Sequence, residues 1–148
     1  MKYYKGRYTP KNLKKYEGDF AKIVYRSHWE KMAFKWCDNN KDIIGWNSEE
    51  VVVPYRCKSD GKMHRYFIDL FLRMKDGRCY LIEIKPKKQT QPPKERSRKT
   101  KKYLAEVMTY AKNISKWEAA TAFADRRGMK FQVWHEGTLK SLGIKLLT

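Results

Sequence analysis

Acidic residues are scarce in this sequence. Against 34 Lys and Arg stand 16 Asp and Glu, a formal net charge of +18 over 148 residues. So large an excess does not set the fold, but it says what the surface attracts: a polyanion, most commonly a phosphate backbone. Long apolar runs are missing too. No stretch approaches the roughly 18 apolar residues of a membrane-spanning helix. The start, MKYYKGRYTPKNLKKY, carries charge without the apolar core of a secretory leader. We therefore expect no membrane partner and a place in the cytoplasm, or in a particle packaged from it. Cysteine is sparse and odd in number: Cys37, Cys57 and Cys79. They lack the close pairs of a zinc site and are read as free, reduced thiols, mostly in the core. His28, His64 and His135 show no metal spacing and are read as structural or surface residues.

What is present is enough for a core, at 41% hydrophobic and 14% aromatic residues. The length suits one domain, 1–148. Residues 1–16 hold six Lys or Arg, four Tyr and no acid, and read as a basic arm. SHWEKMAFKWCDNN reads as a helix. Trp29, Met32, Ala33 and Trp36 fall on one apolar face, and Ser27 and Glu30 have capping-box spacing. EEVVVPYRC, RYFIDLFLRM and CYLIEIK read as strands, with Pro54 suiting an edge. Residues 85–102 form a loop broken by Pro86, Pro92 and Pro93, with nine basic residues against Glu95. Leu104, Val107, Met108 and Ala111 mark a helical stripe. SKWEAATAFADRRG reads as a second helix, opened by Ser115 and Glu118 and ended by Gly128. MKFQVWHE is a last strand and TLKSLG a helical turn. The expected order is α-β-β-β-α-α-β.

Two of these strands carry charge where apolar residues would be expected. Asp69 stands between Ile68 and Leu70; Glu83 and Lys85 flank Ile84. Ionised groups are costly to bury unless paired or bound. Alternation puts Glu83 and Lys85 on one face. Whether Asp69 joins them depends on the turn. A two-residue Asp76-Gly77 turn would set Asp69 opposite Ile84 and point it away. A three-residue Lys75-Asp76-Gly77 loop, with Gly77 left-handed, pairs Met74 with Arg78 and sets Asp69 opposite Glu83. The composition suits the second form, which we expect. Facing carboxylates repel unless a cation lies between them. Such oxygen ligands suit Mg2+, or Mn2+ in its place, and Lys85 beside them could act on a water or a phosphate. On spacing alone, a cross-strand ion pair on a solvated sheet face remains an equal reading.

An acid on one strand, E-x-K on the next and a glutamate on a preceding helix resemble the PD-(D/E)XK nuclease superfamily. YRSHWEKMAFKW, RYFIDLFL, IEIKPKKQTQPP and YAKNISKWEAATAFADRRGMKF together resemble the head-completion nucleases of T-even-type tailed phages, from about Tyr8 onwards. There is a more distant likeness to transposon end-cleaving endonucleases. The resemblance implies a restriction-endonuclease-like α/β fold, a mixed sheet flanked by helices. It implies Asp69, Glu83 and the Ile84 carbonyl as metal ligands, Lys85 as catalytic lysine and Glu30 as an additional acidic metal ligand, direct or through water. Ile68 stands where the superfamily signature has proline. Glu106 and Tyr110 have the spacing of a Q-x-x-x-Y helix motif, with glutamate replacing glutamine. Lys5, Arg7, Lys87, Lys88 and Arg96 are the first candidates for phosphate contacts, with little sequence preference. The expected activity is metal-dependent DNA endonuclease action in head completion before tail joining. It implies DNA and phage head or neck proteins as partners, in the virion head or the host cytoplasm. The alternatives are a non-catalytic basic DNA-binding protein at the head vertex and a transposon-type or junction-resolving nuclease.

Overall fold

β-Branched and aromatic runs pair where the sequence alternates, and the long basic helix connects two of them. The computed structural model describes residues 3–95 and 97–146, apart from the side chains of Tyr3 and Tyr4. Arg96, one of the expected phosphate contacts, lies outside the described residues. The central sheet has four strands in the order β3-β6-β7-β8: Ile43–Asn47, Leu70–Met74, Cys79–Ile84 and Lys130–Trp134. The first three run antiparallel and β7 pairs with β8 in parallel. A parallel neighbour needs a crossover, and helix α2, Lys101–Arg126, supplies it. β1, Tyr3–Arg7, and β2, Val24–Ser27, make a two-stranded ribbon; β4, Val52–Arg56, and β5, Met63–Phe67, make another. Helix α1, His28–Asn39, follows β2, and α3, Glu136–Ser141, follows β8.

The sheet separates two apolar clusters because successive side chains point to opposite faces. Leu70, Leu72, Ile82, Ile84 and Trp134 pack with Ala33, Phe34 and Cys37 of α1. Phe71 and Leu81 face the other way, with Trp117, Ala120 and Ala124 of α2 and with Val53, Tyr55 and Tyr66 of the β4–β5 ribbon. Glu83 and Lys85 share the face of Leu81, so they belong to the α2 side.

The mixed sheet flanked by helices is the expected fold class, but the element order is richer than α-β-β-β-α-α-β. The two expected helices of residues 101–126 are one. Ser115 does not cap anything; its hydroxyl donates to Ala111 O at 3.0 Å and accepts from Lys58 N–H at 3.1 Å, so it is satisfied inside the helix. RYFIDLFLRM is two strands, because the chain changes sheets at Ile68–Asp69. Ile68 N–H donates to Val51 O and Ile68 O accepts from Glu49 N–H, at 3.0 and 2.9 Å, and β6 starts after this handover. Glu49 holds a left-handed φ of 58°, a strained conformation for a residue with a β-carbon. β3 and the β1–β2 ribbon are additional strands; part of the basic arm is therefore β-structure. Leu104, Val107 and Met108 are on a helix as expected, but they are exposed rather than packed in the core. On α1 the fully buried apolar residues are Ala33, Phe34 and Cys37, and Trp29, Met32 and Trp36 only flank them. No helix of the described residues is long and apolar enough to cross a membrane.

Candidate active site

The β6–β7 turn decides where Asp69 goes. Met74 N–H donates to Arg78 O at 2.8 Å, Gly77 N–H donates to Met74 O at 2.9 Å, and Gly77 has φ 92°. This is the three-residue loop expected from Lys75-Asp76-Gly77. The ladder runs Arg73 with Cys79 down to Leu70 with Ile82. One further step in this register sets Asp69 opposite Glu83. Asp69 Oδ2 accepts from Ile84 N–H at 2.8 Å, which ties the carboxylate to the neighbouring strand.

Glu83 is only 5% exposed. Both of its oxygens have partners: Tyr66 donates its hydroxyl to Oε2 in a short hydrogen bond, and Lys85 Nζ lies 3.6 Å from Oε1. Glu30, in the first turn of α1, comes from the other side of the sheet's end. Ser27 Oγ accepts from Glu30 N–H at 3.2 Å, and Glu30 Oε2 accepts from Arg26 N–H at 2.8 Å. The capping role and the approach to the site therefore coexist in one residue. Arg26 also pairs with Glu49 through a short Nη1–Oε1 contact.

The acids feel one another. Burial raises the Asp69 carboxyl well above its ordinary value, and the charges of Glu83 and Glu30 push it further; Ile84 N–H and Lys85 oppose this. Burial likewise raises Glu30; the Arg26 N–H opposes, while Glu49 and Glu83 add to the rise. Tyr66 is raised by burial and then by the charges of Glu83 and Asp69, so its phenol stays protonated and remains a donor. Lys116 of α2 sits 5.3 Å from the Tyr66 ring centroid. Burial lowers its ammonium, Glu83 raises it, and Lys112 lowers it.

The chain thus draws together Asp69, Glu83, Lys85 and Glu30, the four residues singled out for chemistry. The sequence reading missed Tyr66, Lys116, Arg26 and Glu49. Alternation within RYFIDL could have marked Tyr66 as inward-facing. Lys116 had no local signal, because one lysine in a basic helix looks like any other. Of the candidate phosphate contacts, Lys5, Arg7, Lys87 and Lys88 are exposed. Lys5 and Arg7 lie on β1, beside the β2 strand that leads to Arg26 and Glu30. Lys87 N–H is held by Glu136 Oε1 at 2.7 Å. Lys88 lines a cleft of about 790 Å³ between the basic loop and α2, together with Lys94, Lys102, Glu106, Tyr110 and Asn113. Glu106 and Tyr110, the pair with Q-x-x-x-Y spacing, therefore face a cleft and not the core. Along the helix, Asn113 is one turn short of Lys116.

The donors of the three carboxylates, Asp69, Glu83 and Glu30, are all oxygens; Asp69 and Glu30 are raised by burial and then by like charge, and one lysine stands beside them. Such a set fits a hard divalent cation. The profile of the TnsA-like endonuclease N-terminal family matches residues 40–136, and the chain belongs to this family. The match takes in Asp69, Glu83 and Lys85 and begins after Glu30. Across nearly its whole length, the chain is also similar to the head completion nuclease of Enterobacteria phage T4. The two are 46% identical over 146 residues, covering 96% of this chain and 97% of that protein. No solved structure matches the chain significantly. Membership of an endonuclease family implies a divalent metal requirement.

Proposed function

We propose that this chain is a single metal-dependent DNA endonuclease unit of the PD-(D/E)XK type that acts in phage head completion. The observation that carries the reading is the register: Asp69 faces Glu83 across the hairpin, with Lys85 and Glu30 beside them. Asp69 and Glu83 would hold Mg2+, for which Mn2+ can substitute. Within a strand the N–H and C=O of one residue point to the same edge. Ile84 O therefore shares the Asp69 side with its N–H and can complete the donor set. When bound, the cation supplies Lewis-acid stabilisation of charge on the scissile phosphate.

The protein's own groups do the rest. Lys85 is tethered near Glu83, where its ammonium can meet the charge that grows on a phosphate oxygen or orient the attacking water. Glu30, whose carboxyl burial and the charges of Glu49 and Glu83 raise, would join Asp69 and Glu83 as an acidic ligand, direct or through water. Tyr66 keeps Glu83 from rotating. Lys5, Arg7, Lys87 and Lys88 attract the backbone without reading bases, so binding should weaken steeply with salt. The expected setting is the assembling head in the host cytoplasm or the completed virion head. DNA and head or neck proteins are the expected partners, and trimming of packaged ends before tail joining is the expected task. The TnsA-like match keeps a transposon-type cleavage in view; similarity to the phage protein over almost the whole chain favours head completion.

The experiment is cleavage of plasmid and linear DNA in magnesium, calcium and EDTA by the wild type, Asp69→Ala and Lys85→Ala. Magnesium-dependent cutting lost in both variants, with DNA binding retained, supports the assignment. Absence of cutting with any metal, or cutting that survives both changes, would move the chain to a DNA-binding head protein with an ion-paired sheet face.

A further inference from the structure

The β4–β5 turn brings together three side chains that the sequence spacing did not connect. It reads Cys57-Lys58-Ser59-Asp60-Gly61-Lys62-Met63-His64. Gly61 N–H donates to Cys57 O at 2.7 Å and Cys57 N–H donates to Lys62 O at 2.9 Å, so the chain folds back within five residues. Gly61 makes this possible with φ 70°, a left-handed value. The turn points the Cys57 thiol, the Asp60 carboxylate and the His64 ring at one spot. Their ligand atoms all lie within 4.8 Å of one another.

We propose that Cys57, Asp60 and His64 form a thiolate-bearing site for a zinc-class divalent cation, separate from the carboxylates of the hairpin. The sulfur is already placed in a cradle of donors. Ser59 Oγ lies 2.9 Å from Cys57 Sγ, and the N–H groups of Ser59 and Asp60 are directed at it. Hydrogen bonds to sulfur of this kind stabilise a metal-bound thiolate. Asp60 is oriented by its own turn: Oδ1 accepts from Lys62 N–H at 2.9 Å, leaving Oδ2 2.7 Å from His64 Nε2. The His64 ring is held by stacking on Tyr55, with centroids 5.6 Å apart and planes 28° apart. An Asp60–His64 ion pair alone would account for two of the three groups, but it gives the aimed sulfur no role.

Sulfur and imidazole ligands select zinc over magnesium, and three protein ligands leave one position for water. Tetrahedral zinc needs ligand atoms about 3.5 Å apart, so the group must draw in by about 1 Å at its widest. Asp60 is exposed, so a cation can enter from solvent. The turn is also well placed to matter. Lys58 ties it to α2 through Ser115 and Glu118, both at 3.1 Å. Tyr66, two residues beyond His64 on the same strand face, is the residue that holds Glu83. A cation in the turn would stiffen the ribbon that presents Tyr66.

The test is cobalt(II) titration of the metal-stripped full chain, following the thiolate-to-cobalt charge-transfer band. Wild type, Asp60→Ala, His64→Ala and Cys57→Ser are compared, and circular dichroism checks that each is folded. A thiolate band that saturates with one cobalt per chain, apart from any cobalt on the hairpin carboxylates, is expected, displaced by equimolar zinc and not by excess magnesium. Loss of a second-shell partner typically weakens a metal site about 10- to 100-fold, so loss of Asp60 or His64 should weaken it at least tenfold. Because Cys57 is buried, its variant counts only if folded, and the two variants nearer the surface carry the comparison. Cobalt bound without a thiolate band means that only the carboxylates take metal, and it overturns the proposal. So does a band whose affinity is unchanged in both Asp60→Ala and His64→Ala.

Discussion

Asp38 and Asp69 are both carboxylates that folding withdraws from water, and their surroundings are opposite. Asp38, 1% exposed at the end of α1, is surrounded by donors. Tyr8 hydroxyl, Lys11 N–H and Asn12 N–H donate to it at 2.9, 2.7 and 3.1 Å, and Asn12 Nδ2 adds a fourth bond at 3.2 Å. Burial alone would raise its carboxyl, but these hydrogen bonds hold it below the usual value. Asp69 has one N–H donor and two neighbouring acids, and its carboxyl is raised. A buried charge that the chain satisfies by itself is structural; here it pins the N-terminal segment onto α1. A partly buried charge left among like charges leaves room for something the chain does not supply. That contrast is the physical reason to read Asp69, and not Asp38, as part of a site.

The largest expected effect tests the Asp69 side directly. Asp69→Asn should cut DNA cleavage by about three orders of magnitude, because several kcal/mol of transition-state stabilisation goes with the cation. The same change should raise the melting temperature of the metal-free protein, since it removes a repelled charge and keeps an oxygen for Ile84 N–H. Loss of stability with cleavage by the folded fraction preserved would put Asp69 in the same category as Asp38. Next is Lys85→Met, expected to lower the cleavage rate about 10²- to 10³-fold at unchanged DNA affinity. Single-turnover kinetics with a binding assay separates the two.

Asp38→Ala reverses the pattern. It leaves buried donors unpaired and should cost about 3 kcal/mol in denaturant unfolding, with cleavage by the folded fraction preserved. If it instead abolishes cleavage in folded protein, the division between the two regions fails. The smallest effect is in pH. Groups with raised folded values, Asp69 and Glu30, give stability that is fully present below their ordinary 3.8 and 4.5 and lost as pH rises through the raised values. Asp38 gives stability present above 3.8 and lost as pH falls through its lowered value. Metal-free protein should therefore lose melting temperature on the alkaline side of the ordinary carboxylate range, and a divalent cation should remove that loss. Asp69→Asn should flatten it, and Asp38→Asn should not.

The local chemistry of the chain determined more than its element list suggests. Lys75-Asp76-Gly77 is enough to choose the loop length, because a left-handed glycine after two turn formers favours the three-residue form, and loop length sets register. Register then fixes which face Asp69 takes, since a slip by one residue would turn it away from Glu83. Charge excess, the basic loop and the Ser27–Glu30 start of α1 were legible for the same reason: each depends on neighbours within a few residues. The tertiary structure decided what depends on distant ones. Ser115 looked like a helix start until Lys58, 57 residues away, supplied its partner. RYFIDLFLRM looked like one strand because nothing within it records that Val51 and Glu49 capture Ile68 and pass the chain to another sheet. Gly45 hides β3 by interrupting Ile43, Ile44 and Trp46, which only pairing with β6 turns into a strand. Leu104, Val107 and Met108 have the periodicity of a core face but find nothing to pack on, because periodicity specifies a face and not what lies opposite it. Lys116, the Cys57–Asp60–His64 group and the meeting of Tyr66 with Glu83 were invisible for the same reason. The types of residue that can do chemistry are written in the sequence, and their distances in space come only from the packing of segments far apart along the chain.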